Sequence, residues 1–390
     1  MIHSTVFDIE RQVFSLVEEK FGAFVREQVN PGSAERNARG VHYSRELLRG
    51  AGEVGLLSLG TPQAFGGQGA THLTYGLALE QLGYLCDDSA FVMLLALRTS
   101  LLNTLCESGR DDLIETYAAR TLRGEIFPAF SYTEGQDAYS FRTSVRHVPE
   151  LGWILNGTKA PVMGGMSADY IMVYASTADG DLMTFIVEKS DPGVCLTPVE
   201  VTGLRSNGNC SLELKSVRLD ESRVLVKSDG LSHAQRTLND RRLLLACVPL
   251  GRMRRLLEKT ITKVNESIRY ERPVSEMQHV QATLGKMYVA IESCRALTYR
   301  ALVNFENHGD RIWDPLSSAA KYNIGELANQ FVLDAYHVLG TTLYVDDSFA
   351  QFQRDFATLV AVSGTQASIM VNLGMLAASE VAMANERRAT

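Results

Sequence analysis

Phe130-Ser-Tyr-Thr-Glu134 opens the stretch of this chain that decides its fold, and Trp153-Ile-Leu-Asn-Gly-Thr-Lys159 follows it. Then come Ala160-Pro-Val-Met-Gly-Gly-Met-Ser-Ala-Asp169 and Tyr170-Ile-Met-Val-Tyr174. Short alternating runs of aromatic and β-branched residues, broken by Asn-Gly and Gly-Gly, predict strands and turns. The run from Trp153 is expected to end at an Asn156-Gly157 turn. Residues 130–133, 143–147, 153–156, 170–175, 183–187, 193–199 and 211–219 all show this short period. Ala178-Asp-Gly-Asp181 reads as a hairpin turn. Strands this short and this closely spaced predict a compact sandwich or barrel.

On either side the period is helical. Upstream, Ile9, Val13, Leu16, Val17, Phe24 and Val25 share one face, and Asn30-Pro31-Gly32 ends that helix. Further helices are expected over 43–54, 73–85, 89–105 and 110–123. The loop Phe65-Gly-Gly-Gln-Gly-Ala70 resembles a phosphate cradle only in its glycines. It lacks the Lys-Ser/Thr of a P-loop and follows no strand, so a turn between helices is the favoured reading. Downstream, helices are expected over 232–268, with Pro249 as a place for a bend, and over 276–307, 315–339 and 348–359. A last one starts near Gly364. Long antiparallel helices with short connections make a four- to five-helix bundle. The fold class is therefore α+β and mainly α. An N-terminal helical domain (1–127) and a C-terminal bundle (228–390) flank a middle β domain (128–227).

With 390 residues and 45% apolar content the chain has material for a large core, and its net charge of -7 comes without any Lys/Arg block. A nucleic-acid partner is not expected. Arg252, Arg254 and Arg255 read as a solvated helix face. The six cysteines form no Cys-x-x-Cys pair, so no metal site or redox motif is expected; they read as reduced, mostly buried thiols. Met1-Ile-His-Ser-Thr5 is followed by acidic residues, unlike a signal peptide. No apolar run reaches the length of a membrane span. A cytoplasmic protein with no membrane partner is expected.

Several motifs, in order, resemble the acyl-CoA dehydrogenase superfamily over the whole chain. Phe65-Gly-Gly-Gln-Gly69 is similar to its aromatic-Gly-Gly-x-Gly turn. Glu125 and Thr133-Glu134 resemble Gly-Glu followed by Thr-Glu. Leu155-Asn-Gly-x-Lys159 with Ala168-Asp169, Gly203-Leu-Arg205, Gln278…Gln281 and Arg354-Asp355 also match in register. The resemblance implies the fold above, a homodimer or homotetramer, and an acyl thioester substrate on coenzyme A or an acyl carrier protein. It also implies FAD, which Tyr132, Thr133, Gln278, Gly340 and Thr365 would touch if it is bound.

The departures from the family fall on cofactor and chemistry. The Gly-Ser-Asp turn after Thr-Glu is shortened at Gly135-Gln-Asp137. Trp-Ile-Thr becomes Pro161-Val162-Met163, which offers neither a ring nor a hydroxyl to the flavin. Arg-x-x-Phe-Gly becomes Ser267-x-x-Tyr270-Glu271, which is worse for a diphosphate. Gly-Gly-x-Gly becomes Gly340-Thr-Thr-Leu343. The family's glutamate base corresponds to Ser363, and its alternative position on the first bundle helix falls at or next to Arg241. Neither side chain takes a proton from carbon at neutral pH. Arg242 matches a family arginine near the substrate entrance.

Three functions stay open. One is an enzyme on an acyl thioester that no longer performs ordinary α,β-dehydrogenation, with isomerisation, elimination or ring closure as the options, as in a specialised pathway such as polyketide assembly. Another is an FAD-dependent dehydrogenase or oxidase with a relocated base. The last is a non-catalytic partner of a carrier protein or of an active homologue.

Overall fold

The computed structural model describes residues 2–134, 140–308 and 311–389. The Gly135-Gln-Asp137 departure lies outside the described residues.

The N-terminal helices are α1 (Ile2–Phe24), α2 (Ser33–Arg39), α3 (Arg45–Glu53), α4 (His72–Leu85), α5 (Ser89–Cys106) and α6 (Asp111–Leu122). Their starts follow from capping chemistry. Ser44 Oγ accepts from Leu47 N at 3.2 Å to start α3, and Thr71 Oγ1 accepts from Thr74 N at 3.2 Å to start α4. The glycine-rich loop is indeed a turn before α4. Gly67 is required there, because a Cβ would lie 1.9 Å from the Thr61 oxygen. One correction concerns α5: its 18 residues, at mean hydropathy 1.5, do reach the length and composition of a membrane span, and 89% of them are buried inside the fold.

The middle region is one sheet of β1 (Pro128–Ser131), β2 (Ser144–Val148), β3 (Gly152–Val162), β4 (Tyr170–Ser176), β5 (Leu182–Glu188), β6 (Val194–Pro198), β7 (Cys210–Leu219) and β8 (Val224–Val226). The strand order is β6-β7-β3-β2-β4-β5-β8, with β1 parallel to β4. Alternation sorts its side chains into two cores. Ile171, Val173, Phe185, Leu155 and Val217 share one cluster to which nearly every strand contributes, so the sheet wraps around it. Phe130, Tyr132, Tyr170, Met172 and Tyr174 face the other way, onto Leu101, Leu105 and Leu238 of the helices.

Asn156-Gly157 is not a turn. β3 runs on to Val162, and the pair sits in a register shift against β7. Gly157 is needed because a Cβ would come 2.5 Å from Thr143 Oγ1, and Asn156 Oδ1 accepts from Ser216 N at 2.8 Å. The same pair that marks a hairpin in isolation is here a bulge. β8 has no counterpart among the expected strands.

The C-terminal region contains α7 (Gly230–Glu266), a hairpin of β9 (Ile268–Arg269) and β10 (Arg272–Pro273), and then α8 (Gln278–His308), α9 (Pro315–Leu339), α10 (Thr342–Val345), α11 (Asp347–Ala357) and α12 (Gln366–Ala389). α7 continues through Pro249. Glu80, fully buried on α4, ties the helical regions together. It accepts from Arg295 Nη2 at 2.5 Å and Tyr299 Oη at 2.6 Å, both on α8, and from Arg254 Nη1 of α7 at 3.4 Å. Arg295 also meets Glu10 of α1 at 3.2 Å. The expected solvated arginine face is therefore corrected. Arg252 is 3% exposed, lies 4.2 Å over the Phe352 ring and donates to Cys86 O at 2.5 Å. Arg254 is half-buried against Glu80, while Arg255 stays partly exposed beside Glu258, so helix packing has turned only part of that face inward. Five of the cysteines are buried free thiols, and Cys195 is exposed.

Candidate functional site

α7 carries the site on more than one face. Asn239 and Arg242, three apart, point toward the loop before α12, while His233, Thr237 and Asp240, four and three apart, share another face. Arg242 Nε donates to Ser363 O at 3.0 Å, and its Nη1 donates to Asn239 Oδ1 at 3.4 Å. Asn239 in turn donates to Arg311 O and Ile312 O, both at 3.2 Å, in the α8–α9 connection.

The loop before α12 is held at the next residue as well. Lys321 Nζ, from α9, donates to Gly364 O at 2.6 Å. Two cations thus grip consecutive carbonyls, and Ser363 takes up a left-handed φ of 56° between them. The Ser363 hydroxyl is buried without a partner among the described residues. Burial, then the charge of Arg242, brings Lys321 down to about 7.

Arg241 points toward the sheet. Its guanidinium lies 4.4 Å over the Phe130 ring, and the residue is 6% exposed. Burial lowers its pKa to about 10, so it remains a cation at neutral pH. Phe130 stacks at 6.0 Å on Tyr132, which leads to Thr133. Thr133 is exposed at the end of β1, its carbonyl bonded to Ala160 N at 3.0 Å. Below it, Lys159 Nζ meets Glu134 Oε1 at 2.6 Å and Tyr132 O at 3.1 Å, with both charged side chains almost wholly buried. This pair fixes the strand end that presents Thr133.

A cavity of about 600 Å³ opens on the other face of α7, between α4, α5 and α8, and is lined by His72, Glu107, His233, Arg236, Asp240 and Glu306 among others. His72 Nε2 meets Asp240 Oδ1 at 3.2 Å. Burial would lower the His72 pKa, but Asp240 and then Glu306 outweigh it and hold it above the usual value. Burial lowers His233 to about 4, leaving it neutral with Nδ1 against Tyr174 Oη at 3.1 Å. Among the described residues no group of His, Cys, Asp and Glu side chains is placed to hold a metal.

The structure therefore brings Arg242 and Ser363 into contact, with Arg241 next to them and Tyr132 joined to Arg241 through Phe130. Thr365 is exposed one residue past Gly364 and caps α12, accepting from Ser368 N at 3.2 Å. Gln278 and Gly340 are exposed at the ends of α8 and α9. Sequence reasoning missed Lys321, the Glu134–Lys159 pair and the His72–Asp240 pair. Each couples residues far apart in the chain, and a lone Lys or His on an amphipathic helix carries no local signal.

The N-terminal, middle and C-terminal domain families of acyl-CoA dehydrogenase match residues 15–125, 129–217 and 228–376. This chain belongs to the acyl-CoA dehydrogenase family. An acyl-CoA dehydrogenase of Bacillus subtilis is 28% identical over 335 residues, covering 83% of this chain and 86% of the relative. The prolyl acyl carrier protein oxidase AnaB superposes with a TM-score of 0.86 at 23% identity, covering 96% of this chain and 98% of AnaB. A glutaryl-CoA dehydrogenase from Mycobacterium smegmatis, solved in complex with FADH2, gives 0.85 at 25% identity over 94% of this chain and 93% of its own.

A flavin is plausible by that kinship, and the residues present test the fit. At the positions expected to meet the ring stand Pro161 and Met163. Met163 is half-buried against the helical core, and Pro161 is exposed with no aromatic ring or donor to offer. Ser267 ends α7 with its hydroxyl donating to Lys263 O at 2.7 Å. What this acyl-CoA dehydrogenase relative leaves open at its surface is Thr133, Gln278, Gly340 and the cross-strand pair Arg269–Arg272.

Proposed function

We propose that this chain is an enzyme that binds an acyl thioester, on coenzyme A or an acyl carrier protein, between the end of β1 and the Ser363–Gly364 loop. In this proposal it does not carry out ordinary α,β-dehydrogenation. One observation supports this above the others. Where the resemblance puts the family's carboxylate base, at Ser363 and at or next to Arg241, stand a buried hydroxyl and a buried guanidinium. A hydroxyl without an adjacent base and an arginine both fail to abstract a proton from carbon. Arg242 and Lys321 would hold the loop, and Arg241 would face the acyl group. The options that remain are isomerisation, elimination or ring closure beside the thioester.

The near-ultraviolet and visible spectrum of purified protein tests this. Expected is no stoichiometric flavin band, together with measurable binding of acyl-CoA. A full complement of bound FAD that bleaches on adding an acyl thioester would overturn the proposal.

A second proposal, FAD binding with altered contacts, draws on the Arg269–Arg272 pair beside Ser267, because two exposed guanidiniums suit a diphosphate. A homodimer or homotetramer is also proposed. α12 exposes Val371 (61%) and Met375 (68%), and α8 exposes Tyr288 (59%) and Val289 (62%), apolar area that a second copy would cover. Native mass spectrometry reads the assembly.

A further inference from the structure

We infer that Arg241 is the receptor for a carboxylate carried by the acyl group, so that the substrate is the monothioester of a dicarboxylic acid. This rests on the acyl-thioester reading above and narrows it to one substrate class.

The argument starts from a cation that the fold leaves unanswered. Arg241 is more than nine-tenths buried, and its Nε and Nη1 find no acceptor among the described residues. Unpartnered guanidinium nitrogens also occur at Arg98 and Arg252, but each of those side chains donates to a carbonyl, Leu57 O or Cys86 O, whereas no acceptor is seen for Arg241 among the described residues. Arg242 bonds Ser363 O, Arg252 bonds Cys86 O, and Arg295 bonds Glu80. The Phe130 ring covers one face of the Arg241 guanidinium at 4.4 Å. A π face satisfies charge, however, and not the N–H donors that lie in the guanidinium plane.

The two titratable groups that act on Arg241 most, Tyr174 and Asp240, are committed elsewhere. Asp240, the next residue, turns to the other side of the helix and meets His72 at 3.2 Å. The Tyr174 hydroxyl meets His233 Nδ1 at 3.1 Å. A buried charge without hydrogen bonds strongly destabilises a fold. A ligand that supplies the acceptor recovers that loss on binding. The planar fork of Arg suits a carboxylate, which takes two parallel N–H···O bonds.

Placement gives the same answer. Arg241 lies between Phe130, on the strand β1 that leads to Tyr132 and Thr133, and Arg242, which holds the Ser363 loop. An acyl chain whose thioester lies at that loop would carry its far end past Arg241. A purely hydrocarbon acyl group would leave Nε and Nη1 as they stand, buried and without an acceptor among the described residues. A dicarboxylic one would answer it.

Calorimetric titration of the full-length protein with pairs matched in chain length tests this: malonyl- against propionyl-CoA, succinyl- against butyryl-CoA, and glutaryl- against valeryl-CoA. At least one charged member is expected to bind about tenfold to a hundredfold tighter than its neutral partner, the range for hydrogen bonds to a charged group. Arg241→Met is expected to erase that preference, read as the ratio of the two affinities within a pair, and its melting temperature is not expected to fall. Arg241→Lys, which keeps the charge without the fork, should retain part of the preference. Equal binding within all three pairs, or a preference that survives Arg241→Met, overturns the inference and leaves the thioester reading standing. No binding of any thioester sinks both.

Discussion

Arg242 donates from Nε to the backbone oxygen of Ser363 across 3.0 Å, so one side chain of α7 sets the position of the loop that precedes α12. The bond joins residues that are 121 apart in the chain. Removing it by Arg242→Leu is expected to cost about 1.5–3 kcal/mol of stability, the usual worth of a charge-assisted hydrogen bond. Thioester binding should weaken with it. Urea unfolding and calorimetric titration of the variant give the two numbers, and an unchanged midpoint together with unchanged binding would remove the loop from the proposed site.

The second cation on that loop makes a pH prediction. Lys321 is brought down to about 7 by burial and then by Arg242, below the ordinary lysine value of 10.5. Between those values the unfolded chain binds more protons at this group than the folded one. The slope of unfolding free energy with pH is therefore positive there. Wild type should gain stability over Lys321→Met as pH rises from 7 toward 9, by at most about 1.4 kcal/mol per pH unit. Unfolding curves at both pH values check the sign, and a gap that narrows over this range would refute it.

Glu80 is the acceptor that Arg295, Tyr299 and Arg254 share. Glu80→Gln keeps the shape and removes the charge, taking from Arg254 and Arg295 the buried carboxylate they share and leaving Arg295 with Glu10 and Glu292. A loss of about 3–5 kcal/mol is expected, as for breaking a buried pair from one side. The denaturant midpoint should fall at constant slope, because the folded state loses an interaction without changing its compactness.

Two glycines in long helices should respond in opposite senses. A Cβ on Gly251 of α7 would lie 1.8 Å from Glu80 O, where α7 crosses α4. Gly251→Ala is expected to destabilise by about 1–3 kcal/mol or more through overpacking. Gly285, mid-helix on α8, has nothing within 4 Å of such a Cβ. Gly285→Ala should stabilise by about 0.5–1 kcal/mol through helix propensity and unfolded-chain entropy. Thermal melts of the two variants decide, and shifts in the same direction would contradict the packing described for the α4–α7 crossing.

Period and punctuation alone determined the helix–sheet–helix order of this protein, because each element's burial pattern is written locally, in 3.6-residue or two-residue steps. Resemblance in ordered motifs such as Thr133-Glu134 and Leu155-Asn-Gly-x-Lys159 reached the family. Only the tertiary structure decided what Asn156-Gly157 does. The dipeptide suits a hairpin or a bulge, and contact with Thr143 and Ser216 chooses the bulge. Only the fold turned Arg252 inward, since a helix face is solvated or buried according to what packs on it. The site divides in the same way. Its composition, with serine and arginine where a carboxylate is expected, could be read from the order of residues. That Arg242 and Lys321 grip one loop while Arg241 stays unanswered depends on which side chains meet across 43 to 121 residues of chain, and no local pattern carries that information.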